Sequence, residues 1–391
     1  MSTNIQKNQI TEGIIWRQLL LFFFPILLGT FFQQLYNTID SVIVGQFVGK
    51  EALAAVGGSS AQIVAFVVGF FTGLSSGASV TIAQFFGAKD SRSANKGLHT
   101  AYAIAAFGGL ILTVSGIILT PFLLEMMNTP ADIDADSAVY LRIYFAGIIF
   151  VLIYNMGSAI LRATGDSKRP LYYLIVCCII NIVLDVLFVI VFHMGVMGVA
   201  VATLIAQAVS AVLVTLKLMR SEGILKLSVK QIRFHGSILK MQLKLGLPTG
   251  FEAILFSITN IAIQSAVNTF GTDTTAAWSA YGKLDAIFWM VSTAFGIAIT
   301  TFVGQNYGAG KMDRVRKSTR VCLLMDFIVS AVLVVFLIAA RFLLFRLFTN
   351  DSHVIEIGCD MLVLITPWYI VYVFIEVIAG ALRGVGNVVV P

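Results

Sequence analysis

The chain has 391 residues, 58% of them hydrophobic and only 12% charged, with a formal net charge of +6 and a mean hydropathy of +0.91. So little polar surface cannot cover a water-soluble protein of this length, which excludes a soluble globule. The positive balance does not point to nucleic acid either, because the basic residues follow the pattern of a membrane topology and need no partner beyond anionic lipid headgroups.

Apolar runs of roughly 20 residues, the length that crosses a bilayer, recur along the chain. In order they predict helices at 14–36, 54–85, 98–123, 138–161, 171–192, 195–218, 243–270, 277–303, 321–348 and 358–382. Each is read as a helix because a helix satisfies its own backbone in lipid. No stretch shows the alternating pattern of an outer-membrane barrel strand. The first run is too long for a cleaved signal peptide and lacks a small-x-small site after it.

With the N-terminus in the cytoplasm, 21 of the 26 Lys and Arg residues fall on cytoplasmic segments, including the groups at 89–96, 162–169, 217–244 and 311–320. The opposite loop at 125–136 carries four acids and no base. By the positive-inside rule this predicts a multi-pass protein of the cytoplasmic membrane. Cys177, Cys178, Cys322 and Cys359 lie inside apolar spans without zinc or C-x-x-C spacing and read as packing residues. His99, His193, His235 and His353 stand singly, so no metal centre is expected.

An internal repeat organises these spans. Gln84-Phe-Phe-Gly87-Ala88 and Gln305-Asn-Tyr-Gly308-Ala309 are 221 residues apart, as are Leu161-Arg162-Ala-Thr-Gly165 and Leu382-Arg383-Gly-Val-Gly386. Six spans precede the second copy, so both copies enter the membrane from the same side, a parallel repeat of the transporter kind. The fold class that follows is all-α and polytopic: two six-helix lobes, 1–221 and 222–391, about ten transmembrane helices being present. The second copy stops at the partner of Pro170, so its last two spans are expected to be missing. The polar connector from Arg220 to Lys244, with a helical pattern at 228–239, is expected either to lie on the cytoplasmic membrane surface or simply to join the lobes.

Acids inside spans cost about 2.5–3.5 kcal/mol each at a helix centre and ask for a reason. The candidates are Asp40, Asp185, Glu252, Asp285, Asp326 and Glu376. Asp326, near Arg320, reads as an end-of-helix pair. Asp40, at the outer end of its span, either belongs to a site or faces water. Asn181 and Asp185 are four residues apart and share a helix face, and the next span brings Thr203. A carboxylate, an amide oxygen and a hydroxyl suit Na⁺, while a carboxyl held in low dielectric can take a proton instead. Polar helix–helix glue is the alternative. Gly69-x-x-x-Gly73-x-x-x-Gly77 reads as a close-packing face. Gly308-Ala-Gly-Lys-Met lacks P-loop spacing, and no nucleophile–base pair or metal set suggests an enzyme.

Taken in order, Pro25, Tyr36-Asn-Thr-Ile-Asp40, Gln84-Phe-Phe-Gly87-Ala88, Leu161-Arg162-Ala-Thr-Gly165-Asp166 and Asn181-x-x-x-Asp185 resemble the MATE (multidrug and toxic compound extrusion) family, and its DinF-like branch in particular. The resemblance implies a cation or proton site at Asp40, Asn181, Asp185 and Thr203, with Na⁺ the only metal envisaged. It also implies a substrate cavity near Gln33, Tyr36 and Asn155. Glu376 aligns with Asn155 through the repeat, so Glu252 and Glu376 are kept as cavity candidates, although the family's second-lobe acids sit at slightly different positions. The implied function is a monomeric antiporter without cofactor, coupled to Na⁺ or H⁺ and exporting amphipathic, mostly cationic organic compounds. Two alternatives are a flippase for a lipid-linked precursor, which would want a strongly cationic cavity, and an inactive remnant.

Overall fold

The computed structural model describes residues 9–390. Among them, ten helices are long and apolar enough to cross a membrane. They are α1 (Ile15–Phe47), α2 (Lys50–Gly87), α3 (Ser91–Met126), α4 (Asp134–Ala163), α5 (Lys168–Val191), α6 (Gly195–Met219), α7 (Gly236–Asn268), α8 (Thr272–Gly308), α9 (Met312–Arg346) and α10 (Ser352–Val385). The described residues contain no strand. The chain is a multi-pass helical membrane protein, as its apolar runs require.

Four helices depart from the plain spans, one of them α10, which passes through a 3₁₀ turn at Thr366–Trp368. α1 runs on past residue 36 to Phe47, which takes Asp40 into the helix and buries it. α2 is interrupted at Gly58 between Lys50–Gly57 and Ser59–Gly87. α5 is α-helical to Asp185 and then widens into a π-turn, Val186–Val191, with the Phe192 N–H donating to the Leu187 carbonyl at 3.0 Å. One face of α3, carrying Phe107, Ile111, Val114, Ile118 and Phe122, is exposed. At helical spacing this is a stripe that lipid can cover without any partner.

The repeat is visible in backbone geometry. After α2 the Asp90 N–H donates to the Phe85 carbonyl at 3.0 Å; after α8, Lys311 donates to Asn306 at 2.9 Å. The residue between, left-handed in both copies, is Lys89 (φ 59) in one and Gly310 (φ 70) in the other. After α4 and α10 the same turn recurs at Gly165 (φ 96) and Gly386 (φ 92), closed by Asp166 onto Leu161 and by Asn387 onto Leu382. Every one of these pairs keeps the 221 offset.

Contacts gather the chain into two compact units: Leu28–Ile254, and Met1–Leu27 with Leu255–Pro391. By contacts, α1 and α7 each contribute to both units. In the second unit, Phe22 and Phe23 of α1 join a core with Phe295, Ile299 and Phe302 of α8, the rings of Phe23 and Phe295 stacking at 4.1 Å. In the first unit the opening part of α7 lies against α2. There the glycine face does the work assigned to it: a Cβ on Gly77 would stand 2.7 Å from the Gly246 Cα, and one on Gly250 would stand 2.8 Å from the Phe70 carbonyl oxygen.

The connector does not form the helix suggested at 228–239. It makes two short 3₁₀ turns, Gly223–Leu225 and Val229–Gln231, before α7 begins at Gly236. Its polar groups are instead engaged by α3. Asn95 Nδ2 donates to the carbonyls of Ile224 and Lys226, each at 3.1 Å, and the Ser228 N–H donates to His99 Nε2 at 3.0 Å. His99 therefore carries its proton on Nδ1, which lies 2.8 Å from the Asn95 carbonyl. The Gln242 amide donates to the Gly97 carbonyl at 3.0 Å. His235 meets Thr100 through Nδ1 at 3.1 Å while Arg233 Nε donates to its Nε2 at 3.3 Å, an arrangement that only the neutral ring satisfies. Histidines expected to stand apart are thus brought to one clasp, though no metal-binding group of three His, Cys, Asp or Glu forms among the described residues.

Gly77→Ala and Gly250→Ala are each expected to destabilise the protein by about 1–3 kcal/mol through overpacking, measured by unfolding in detergent. Gly236→Ala, with nothing within 4 Å of its added carbon, should be near neutral by the same measurement. The clasp generates a pH dependence. Burial pushes His235 below the usual histidine range, and the charges of Arg233 and Lys96, with His99, push the same way. A base whose folded value is depressed contributes stability that is complete above its unfolded value near 6.5 and is lost as pH falls through the folded one. The protection of residues 224–235 against hydrogen exchange, corrected for the intrinsic pH dependence of exchange, should therefore fall on acidification below about pH 6.5, and His235→Gln should flatten that response.

Candidate functional site

Three helices of the first unit present polar side chains at matching intervals. α1 offers Tyr36 and Asp40, α5 offers Asn181 and Asp185, and α6 offers Thr203 and Gln207, each pair four residues apart and so one turn apart on a single face. All six are buried, with Asp185 fully enclosed and Asp40 8% exposed. The two turns meet in register. Thr203 Oγ1 donates to Asp40 Oδ2 at 3.4 Å and accepts from Asn181 Nδ2 at 3.5 Å; one turn along, Gln207 Nε2 donates to the Tyr36 hydroxyl at 3.2 Å. Ser210 continues the α6 face, bonding to the Gln207 carbonyl at 2.8 Å.

The bonds around Asp40 are at the long end of hydrogen-bond geometry, and much of the site's capacity is unused. Asp40 Oδ1, Asn181 Oδ1 and both carboxylate oxygens of Asp185 are buried and accept no hydrogen bond. The two carboxylates lie within electrostatic and hydrogen-bonding reach of each other. Two negative charges enclosed together, with no cationic side chain bonded to them among the described residues, demand a neutralising partner. The donors are all oxygen, the set a hard monovalent cation prefers, and a single proton shared by the carboxylates would serve the same electrostatic end. The π-turn begins at the residue after Asp185, and such turns concentrate at functional positions.

The other expected residues are arranged differently. Gln33 is exposed and Asn155 half-buried, and neither is hydrogen-bonded to this cluster; Glu252 is exposed on α7. Glu376 lies in the second unit, where Arg383 Nη2 donates to its Oε1 at 2.8 Å and the Tyr372 hydroxyl to its Oε2 at 3.2 Å. Arg383 is therefore half of a largely buried ion pair, the side chains being 13% and 17% exposed. Asp326 does not pair with Arg320: it is fully buried and accepts from Ser330 at 3.1 Å. Asp285 accepts from Trp289 at 2.8 Å and from the Tyr369 hydroxyl, whose ring stacks on Phe288.

Residue patterns missed Gln207, Tyr140 and Tyr144. Tyr140 of α4 lies within electrostatic reach of both Asp40 and Asp185, and it stacks on Tyr144. Gln207 was legible in principle, one turn after Thr203 on the same face. The tyrosines were not, because only the packing of α4 brings them near.

Comparison with known proteins sharpens the picture. The family profile described as MatE matches residues 25–187 and 248–391, one block in each copy of the repeat. The chain is 30% identical over 385 residues to the “Probable multidrug resistance protein YoeA” of Bacillus subtilis (strain 168), covering 96% of this chain and 83% of that protein. It is 27% identical over 395 residues to the “Probable multidrug resistance protein NorM” of Thermotoga maritima, covering 99% and 83%. Among solved structures, an outward-facing multidrug resistance MATE family transporter of the MOP superfamily superposes with a TM-score of 0.91 at 22% identity, over 99% of this chain and 86% of that one. At that identity the likeness establishes the fold.

The electrostatics of the first-unit site generate a stability test. Asp185→Asn removes one of two enclosed charges, so in Na⁺-free buffer at alkaline pH the variant should melt at a higher temperature than the parent. Added Na⁺ or acidification should close the gap, as read by thermal unfolding in detergent.

Proposed function

This chain belongs to the MatE family, whose members are membrane transporters rather than enzymes, and we propose that it is a cation-coupled antiporter exporting amphipathic, mostly cationic organic compounds. The observation that carries this reading is the buried oxygen cluster of Asp40, Asn181, Asp185 and Thr203, with four oxygens that accept no hydrogen bond. Similar chains carry the names of probable multidrug resistance proteins, which agrees with this reading.

In the proposed cycle Na⁺ or H⁺ enters the cluster and offsets the charge of the two aspartates. Asp40 and Asp185 supply the charge, Asn181 and Thr203 supply neutral oxygens, and Thr203 keeps Asp40 aligned by its hydroxyl. Loading draws α1, α5 and α6 together; emptying leaves two carboxylates that repel. The ion thereby favours one arrangement of these helices over the other, which is the differential affinity that coupling requires. Tyr36, Gln207, Tyr140 and Tyr144 offer aromatic faces and hydrogen bonds beside the acids, a setting suited to organic cations. A flippase for an anionic lipid-linked precursor would call for a basic site instead, and acids dominate here.

The distribution of Lys and Arg supports placement in the cytoplasmic membrane with the N-terminus inside. Export is then outward, driven by inward ion flow. Asp40→Asn and Asp185→Asn, reconstituted in vesicles with Na⁺ and pH gradients imposed separately, are expected to lose at least tenfold in ion-driven efflux of a fluorescent organic cation. Unchanged ion-dependent efflux in both variants would rule the assignment out.

A further inference from the structure

We propose that Asp326 is a second proton-binding group, built into the second unit and independent of the Asp40–Asp185 pair. Its part in transport rests on the antiporter reading, but its chemistry does not. Asp326 lies on α9 and is completely buried, at 0% exposure. Its Oδ1 accepts from the Ser330 hydroxyl at 3.1 Å, while its Oδ2 is enclosed without a hydrogen-bond partner.

The surrounding charges do not balance. The titratable groups near Asp326 are Cys322, one turn earlier on α9 and also fully buried, and Glu376 on α10. Arg383 brings a positive charge to this region, and it is bonded to Glu376 Oε1 at 2.8 Å. The other oxygen of Glu376 accepts from Tyr372 at 3.2 Å. With Glu376 matched by Arg383, an ionised Asp326 is a surplus negative charge in a low-dielectric interior, and a thiol provides nothing to offset it. Such a charge either acquires a cation or binds a proton.

The ligand count favours the proton. A metal ion that prefers oxygen typically gathers six or so donors. Among the described residues the side-chain hydrogen bonds give Asp326 the Ser330 hydroxyl alone, and both oxygens of Glu376 are already hydrogen-bonded elsewhere. A proton needs one oxygen, and it leaves the Ser330 bond to Oδ1 in place. Asp326 then becomes a neutral acid whose carbonyl is hydrogen-bonded to serine. Deprotonation places its charge against Glu376, so the state of Asp326 is felt across the α9–α10 packing.

Infrared difference spectroscopy between acid and alkaline pH tests this on the full chain in lipid, in the Asp40→Asn/Asp185→Asn background that silences the first-unit carboxylates. A distinct protonated-carboxyl C=O band belonging to Asp326 is expected there, above those of the remaining carboxyls, and absent from the same spectrum of Asp326→Asn. In Ser330→Ala the band should survive but move to higher frequency, because its carbonyl loses the serine hydrogen bond. Absence of the band in the background protein, its persistence in Asp326→Asn, or an unmoved frequency in Ser330→Ala would each overturn the proposal. Disappearance of the band when Na⁺ replaces an organic cation at constant pH would do so too, by making the site a metal site. Efflux measured in parallel keeps the two readings apart: failure of the antiporter assignment would leave this band intact, and failure of the Asp326 assignment would leave the first-unit coupling intact.

Discussion

A carboxylate can rest inside a membrane protein only if its charge is answered, and answering it within helices requires side chains from several of them to meet at one depth. This constraint explains how the first unit is put together. Asp40 is answered in part by Thr203 and Asn181, which fixes the relative register of α1, α5 and α6. The next turn repeats the arrangement with Tyr36 and Gln207. The acids outnumber the groups that match them, and Asp40 Oδ1 and both oxygens of Asp185 are left accepting no hydrogen bond.

The second unit meets the same constraint in another way. Glu376 is answered by Arg383 and Asp285 by Trp289 and Tyr369, so these acids are already stabilised by the protein itself. The copies of the repeat thus keep their backbone turns at the 221 offset while differing in their polar interiors. Gly165 and Gly386 hold the same left-handed turn, whereas the aligned pair Asn155 and Glu376 has diverged from a half-buried amide to one end of an ion pair. Fold and chemistry have been held to different standards of similarity.

Much of this was written plainly in the residues. Ten spans are legible because lipid demands contiguous apolar runs, and Asn181 with Asp185 is legible because four residues make one turn. The family resemblance linked Asp40 and Thr203 to them, since nothing local to either residue shows that α1 and α6 approach. The misjudged features depend on tertiary contacts. The continuation of α1 past residue 36 carries Asn37, Thr38 and Asp40, which read as the end of an apolar span. The connector looked helical because its spacing of polar and apolar groups matches a helix, while in the protein those groups are set by Asn95, His99 and Thr100 of α3. Asp326 seemed an end-of-helix partner for Arg320 because sequence distance was the only measure available.

The widened turn after Asp185 holds one more residue than a regular helix would over the same rise. A helix carrying such slack can pass it along its length like a ruck in a carpet, and every side chain the ruck passes turns by about 100°. Because the slack begins at Val186, the half of α5 that carries Asn181 and Asp185 and the half that follows them need not turn as one rod. The helix can keep its grip on α6 at one end while re-aiming at the other, and how the two ends are geared together is set by where that single extra residue resides.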